Sequence, residues 1–313
     1  MNLQQLRYLV AIVDHGLNIS DAAESLYTSQ PGISKQIRQL EDELGIAIFV
    51  RRGKRFVGLT EPGALVVERA RRLVIEAAGL KRIGDEHRAH DEGALTIATT
   101  HTQARYVLPQ PIRQFTARFP KVKLVLHQGN PTQVAESVAR GESDLGIATE
   151  SLADNPELVT LPCYEWNRCV IMPRDHPLAQ EKQLTIETLA RHPIVTYDFS
   201  FTGGSTIGET FATKGLTPNI ALTALDADVI KTYVELGLGV GIIARMAYDP
   251  VRDRDFAMLP ADHLFRPSLT RLALRRGAYL RSYVYDFIVL FAPHLTHEVV
   301  EAALTGGGDP DPA

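Results

Sequence analysis

The sequence predicts an α/β protein made of three consecutive parts: a winged helix-turn-helix, a long linker helix and a two-lobed α/β domain. Three observations predict it. The first sixty residues read as three short amphipathic helices followed by a hairpin with a basic tip. Apolar residues then recur at every seventh position, as Val66, Leu73 and Leu80. From Gly93 onward, short β-branched runs alternate with helical patterns.

At 313 residues the chain exceeds what one hydrophobic core usually serves, so several units are expected. With 45% hydrophobic and 22% charged residues and a net charge of −4, it is neither disordered nor coated with uniform positive charge. Such a balance leaves room for a local basic surface. No run of about 18 apolar residues exists, and the Met-Asn-Leu-Gln-Gln start lacks a leader pattern, so a cytoplasmic protein away from the membrane is expected.

In the first part, Leu3, Leu6, Val10 and Val13 keep helical spacing and stop at Gly16. Ser20 is expected to cap a second helix over 21–26, with Ala22, Ala23 and Leu26 on its apolar face. Ser29 is expected to cap a third, with Pro31 in its first turn and Ile33, Ile37, Leu40 and Leu44 buried. Strands at 46–50 and 56–59 then flank Arg51, Arg52, Gly53, Lys54 and Arg55. Beside a helix-turn-helix, that tip has the charge of a phosphate clamp.

Thr60-Glu61-Pro62 opens a helix expected to reach about residue 84. Its Val66, Ala70, Leu73, Ala77 and Leu80 form an a/d seam suited to pairing with a second copy, or alternatively to packing on its own domain. Residues 85–92 are polar and read as a linker. The expected domains are therefore 1–60, 61–92 and 93–313. The last divides into a first lobe of about 93–162 and 267–305 and a second of about 163–266, with crossings near Cys163 and Phe265. The Gly- and Pro-rich tail from 306 is expected to carry no fixed structure.

If Ile33, Ile37 and Leu40 are buried, then Gln30, Pro31, Ser34, Lys35 and Arg38 face outward. Gln30 suits adenine edges, Pro31 a thymine methyl, and Ser34, Lys35 and Arg38 either bases or phosphates. Arg51, Arg52, Lys54 and Arg55 would grip phosphates without reading sequence. In the α/β region, ligands gather beyond the carboxyl ends of strands. Thr100, Thr102 and Gln103 follow one strand, Thr149 ends another, and Thr202 follows a third. These hydroxyls form an oxyanion cradle or act only as helix caps. His101 and Trp166 stand beside them as pocket-shaping candidates.

Enzymatic motifs are absent: no GxSxG, GxxxxGK[ST], strand-following GxGxxG or HExxH occurs. His294 and His297 lack a third ligand and read as surface histidines of a terminal helix. Cys163 and Cys169, with no metal spacing, read as small hydrophobes in neighbouring strands. No cofactor and no metal site are expected.

The N-terminal sixty residues resemble the LysR-type transcriptional regulators. The match is carried by Leu3-Gln4-Gln5-Leu6-Arg7, Ala22-Ala23, Ser29-Gln30-Pro31, Ser34, Leu40-Glu41, Leu44-Gly45, Phe49 and Leu59-Thr60-Glu61-Pro62-Gly63. Four further segments, 27–36, 98–106, 163–168 and 226–233, are similar to the CysB/Cbl group of sulfur-assimilation regulators. The resemblance fades only at 203–208, where Gly204 replaces that group's arginine, and in the tail. It implies an effector domain like a periplasmic binding protein and a homotetramer acting on promoter DNA with RNA polymerase. It also implies a small anionic effector, such as acetylserine or sulfate, held by Thr100, Thr102, Gln103, Thr149 and Thr202. A related regulator answering to a sulfonate-related or aromatic carboxylate anion is one alternative. A cytoplasmic small-molecule binding protein, whose N-terminal part serves only assembly, is another.

Overall fold

A computed structural model describes residues 1–53, 55–88, 91–149, 152, 155–198 and 204–306. The chain forms two compact units, Met1–Arg88 and Ala89–Ala313.

The first unit opens with α1 (Leu3–Asp14), where Asn2 and Gln5 make a reciprocal capping box. Next comes α2 (Ile19–Ser25), capped by Asn18, whose carboxamide accepts the Ser20 N–H at 3.0 Å. The cap expected at Ser20 therefore lies two residues earlier. Asparagine reaches the orphan amides of the first turn as well as serine does. After the turn comes α3 (Gln30–Leu44), capped by Ser29 and closed by Gly45 at φ 69°, a left-handed conformation that glycine adopts without strain. Ile33, Ile37 and Leu40 are fully buried beside Leu9 and Ile12 of α1. Leu44, expected on the same face, is 38% exposed; Glu41 is buried instead, continuing the i, i+4 row of Ile33 and Ile37.

The hairpin pairs β1 (Phe49–Arg52) with β2 (Arg55–Leu59). It is fastened by Phe49 stacked on Phe56 at 4.1 Å. The helix α4 (Glu61–Arg88) continues through 85–88, where a linker was expected. Val67 and Ala70 are buried in the first unit's core, with Val66 and Val74 against it. Arg71 bonds Asp14 of α1 at 3.2 Å. Leu65, Leu73, Leu80 and Ile83 are exposed. The expected seam thus divides, because Val66 and Ala70 are used internally, Ala77 is half-buried, and Leu73 and Leu80 remain exposed.

The second unit contains two five-stranded sheets. The first has the order β4 (Val122–Gln128), β3 (Gly93–Thr99), β5 (Leu145–Thr149), β12 (Ser268–Arg275), β6 (Leu158–Trp166). Its layers include α5 (His101–Tyr106), α6 (Pro109–Arg118), α7 (Pro131–Ala139), α11 (Ser282–Phe291) and α12 (His297–Leu304). The second sheet has the order β11 (Phe256–Pro260), β7 (Arg168–Pro173), β10 (Val240–Ala244), β8 (Ile194–Tyr197), β9 (Ile220–Ala224). With it go α8 (Ile186–Leu189), α9 (Gly204–Thr213) and α10 (Ala227–Glu235). In the first sheet β3 runs parallel to β4 and β5, and β12 runs antiparallel to β5 and β6. The β12 strand thus returns from the second lobe to a place inside the first sheet, and α11 packs Phe287 edge-on against Phe115 of α6.

Strand β6 stays in the first sheet as far as Trp166, which pairs with Ser268, so the chain crosses at Asn167, four residues beyond Cys163. Cys163 and Cys169 are both buried, but they lie in different sheets rather than in neighbouring strands. Burial pushes both thiols up to about 12, which makes them poor nucleophiles. His294 lies ahead of the terminal helix, its ring 2.9 Å from the Pro162 carbonyl, whereas His297 stacks on Tyr285. Among the described residues, no helix is long and apolar enough to cross a membrane.

Candidate functional site

On α3, burial of Ile33, Ile37 and Leu40 leaves Gln30, Pro31, Lys35 and Arg38 exposed and Ser34 partly exposed. All five therefore occupy the side turned away from the core. At the hairpin, Arg52 and Arg55 are exposed, with no ion-pair partner among the described residues. Lys54 lies outside the described residues. Arg51 differs: its guanidinium pairs with the buried carboxylate of Glu41 and lies over the Phe56 ring at 5.4 Å. The same carboxylate accepts the Ile48 and Phe49 N–H groups at 2.8 and 3.2 Å. A single buried acid thus ties α3 to the base of the hairpin, with Arg51 as its counter-charge.

In the second unit, α5 follows β3 directly. Thr100 heads it but makes no side-chain capping bond, so its hydroxyl is not used as a cap. The Thr102 side chain meets the Tyr197 hydroxyl, which also accepts the Ala244 N–H at 3.0 Å. Gln103 is 2% exposed. Its amide N–H donates to Thr270 at 3.2 Å and its amide oxygen accepts the Tyr164 hydroxyl. Thr149, buried at the end of β5, is the ladder partner of Thr270. Thr100, Thr102, Gln103 and Thr149 are thereby drawn to one end of the first sheet; Thr202 lies outside the described residues.

The sequence did not single out Tyr164, Tyr197, Thr270 or Arg168 here. Burial pushes both tyrosines up to about 12, keeping them neutral donors. Arg168, 2% exposed, lies over the Trp166 ring at 5.2 Å, and its charge opposes the rise of Tyr197. The end of the sheet is therefore less neutral than the threonines alone suggest. A cue existed in the 163–168 segment, where an aromatic and an arginine flank Asn167. Among the described residues, His101 Nδ1 and Trp166 Nε1 are buried polar atoms without a hydrogen-bond partner. Such atoms are uncommon in folded proteins and mark a place where a ligand or water can be accommodated. A separate groove of about 340 Å³, lined by His127, Gln133, Ser137 and Arg140 among others, lies beside β4 and α7.

The far end of α5 meets α10. Asp228 receives the Tyr106 hydroxyl at 2.5 Å and Arg105 Nε at 3.1 Å, with His101 Nε2 at 3.8 Å. Desolvation would raise the Asp228 pKa, but the Tyr106 hydrogen bond and the charges of Arg105, Lys231 and His101 outweigh it and hold it low. His101, Asp226 and Asp228 bring ligand atoms within 4.8 Å of one another. Asp226, however, caps α10, and Arg105 already balances Asp228, so the cluster is an ion-pair junction.

Two family models cover most of the chain. Residues 3–64 match the bacterial regulatory helix-turn-helix protein, lysR family, and residues 88–296 match the LysR substrate binding domain. The chain belongs to the LysR family of transcriptional regulators. It is 52% identical over 306 residues to the HTH-type transcriptional regulator CysB of Burkholderia cenocepacia, covering 98% of each chain. It is also 52% identical to that organism's HTH-type transcriptional regulator SsuR, covering 97% of this chain and 99% of the relative. Its structure is similar to the cofactor-binding domain of the Cbl transcriptional regulator, with TM-score 0.67 and 43% identity over 69% of this chain and 94% of that one. The regulator is thus of the CysB/Cbl type and is not an enzyme.

Proposed function

We propose that this regulator binds promoter DNA of sulfur-assimilation and cysteine-biosynthesis genes through α3 and the hairpin, with RNA polymerase as its further partner. In this reading it acts in the cytoplasm as a homotetramer assembled from α4-paired dimers. A small anion of the sulfur pathway, such as acetylserine or sulfate, binds at Thr100, Thr102, Gln103, Thr149 and Thr202 and switches its activity. The observation that carries the effector reading is the Thr100 hydroxyl, which heads α5 without capping it. His101 Nδ1 and Trp166 Nε1, which have no hydrogen-bond partner among the described residues, and the buried Arg168 support it. The equal identity to two differently named regulators gives weight to a second reading, in which the effector is another anion, sulfonate-related or an aromatic carboxylate.

Calorimetry with the full chain tests the effector, using sulfate, thiosulfate, acetylserine and adenosine phosphosulfate in turn. Thr100→Val keeps the side-chain shape and removes a hydroxyl, so affinity for the bound anion should fall about tenfold. Parental affinity in the variant would return Thr100 to a purely structural role.

Salt titration tests the DNA face. Arg52→Ala should weaken binding to specific and scrambled duplexes alike and reduce the log–log salt slope by about one. Arg51→Ala should weaken binding while leaving the slope intact, because its charge is already answered by Glu41. Equal slopes for the two variants would place Arg51 on a phosphate after all.

A further inference from the structure

Two segments singled out in the sequence, 98–106 and 226–233, meet across the second unit, and the effector reading leaves most of the second unassigned. Tyr106 belongs to the first lobe's α5, yet its ring packs against the second lobe's core with Cys169, Ile230 and Ala247. Its hydroxyl donates to Asp228 Oδ1 at 2.5 Å, while Asp228 Oδ2 accepts Arg105 Nε at 3.1 Å. Beneath them Lys231 Nζ lies 3.4 Å from the Tyr106 hydroxyl and 5.3 Å from its ring centroid. Lys231 is itself fixed by Asp253 at 2.7 Å, and the two side chains are only 12% and 9% exposed. This base is therefore rigid and shielded from water, the setting in which a charged hydrogen bond holds its geometry best.

Thr102 and Tyr106 stand four residues apart, on the same face of one short helix. Both are received by the second lobe, Thr102 at Tyr197 and Tyr106 at Asp228. No turn of flexible chain separates the anion candidates from this contact, so a shift of α5 at one end is a shift at the other.

We propose that Asp228 and Tyr106 are positioning residues for the anion site: they pin α5 to the second lobe, setting the place of Thr100 and Thr102 and coupling a bound anion to the relation between the lobes. This rests on the effector reading above. A ligand changes a conformational balance only through contacts that differ between the two states, and a helix held by both lobes supplies such contacts.

The test uses the full chain, with inorganic sulfate and acetylserine as probes and the emission of Trp166, the chain's one tryptophan, as reporter. Tyr106→Phe keeps the packed ring and removes the hydroxyl; Asp228→Asn keeps the shape and removes the charge. In each variant, probe affinity should fall about fivefold and the emission change at saturating probe should shrink, while far-ultraviolet circular dichroism stays parental. The double variant should lose less than the two single losses combined, because both changes act on the Tyr106–Asp228 contact. A contact serving stability alone would move the unfolding midpoint but leave the saturating emission change untouched, and that result overturns the proposal. Parental affinity in both variants, or additive losses in the double, also overturns it. A parent chain that binds neither probe instead refutes the effector reading, and this proposal with it.

Discussion

Gly63→Ala is expected to destabilise the first unit by about 3 kcal/mol, at the upper end of the range for forcing atoms into a packed site, and to remove measurable DNA binding. A Cβ at this position would lie 2.1 Å from the Ile48 carbonyl oxygen and 2.8 Å from both the Ile48 carbonyl carbon and Thr60 Oγ1. The obstructing oxygen is backbone and accepts the Thr60 N–H at 2.9 Å, so it cannot swing aside. To admit one methyl group, the start of α4 must move off the strand leading into the hairpin, which lifts the hairpin from α3. Denaturant unfolding followed by circular dichroism should show the first unit melting earlier and the second unchanged. A parental transition with parental DNA affinity would show that this junction yields easily.

Leu73→Asp should separate paired copies and shorten the DNA footprint to one half-site. Leu65, Leu73, Leu80 and Ile83 fall within about 80° of one another on a helix that turns about 100° per residue, and they stay exposed while Val67, Ala70 and Val74 face the first unit's core. Leu73 is 49% and Leu80 73% exposed, which is unusual for large apolar residues in such a row and fits a second copy of α4. A carboxylate buried in that pairing would cost on the order of 3–5 kcal/mol for want of a partner. Mass photometry across a dilution series measures the separation. An unchanged mass and footprint would remove the stripe from the assembly.

Much of this was legible from residue spacing because the determinants are local. Pro31 in a first turn, Gly45 after a last one, and the switch to β-branched runs after Gly93 each act within a few positions of where they stand. What escaped depends on contacts between different elements. Leu44 and Glu41 exchange expected environments because Arg51 and two backbone amides, ten or fewer positions on, give the acid partners inside. An acid in line with Ile33 and Ile37, followed by a run of arginines, was the available cue. The α4 seam was misplaced at its first turns because heptad spacing cannot tell which of two apolar faces packs at home. Spacing set Thr100, Thr102, Gln103 and Thr149 at strand ends, and the fold draws these four to one end of the first sheet. Tyr197 and Thr270 reach the same place from strands about 50 and 120 residues beyond Thr149, so no local pattern could announce them.

The position of β12 has a consequence for how the molecule comes into being. This strand, residues 268–275, stands between β5 and β6, although it is made after every other described strand. During synthesis the second lobe's strands, 168–260, emerge as an uninterrupted set, whereas the first sheet waits with β5 open on one side and β6, an edge strand paired with β12, without its place in the ladder. Gln103 likewise lacks Thr270 until that strand arrives. A nascent or truncated chain ending before Ser268 therefore exposes unpaired strand edges, the surface on which aggregation and proteolysis act. On the proposed effector reading, anion recognition becomes available only once residues 268–275 have been made, so a regulator lacking them should be cleared by the cell before it can respond to a signal.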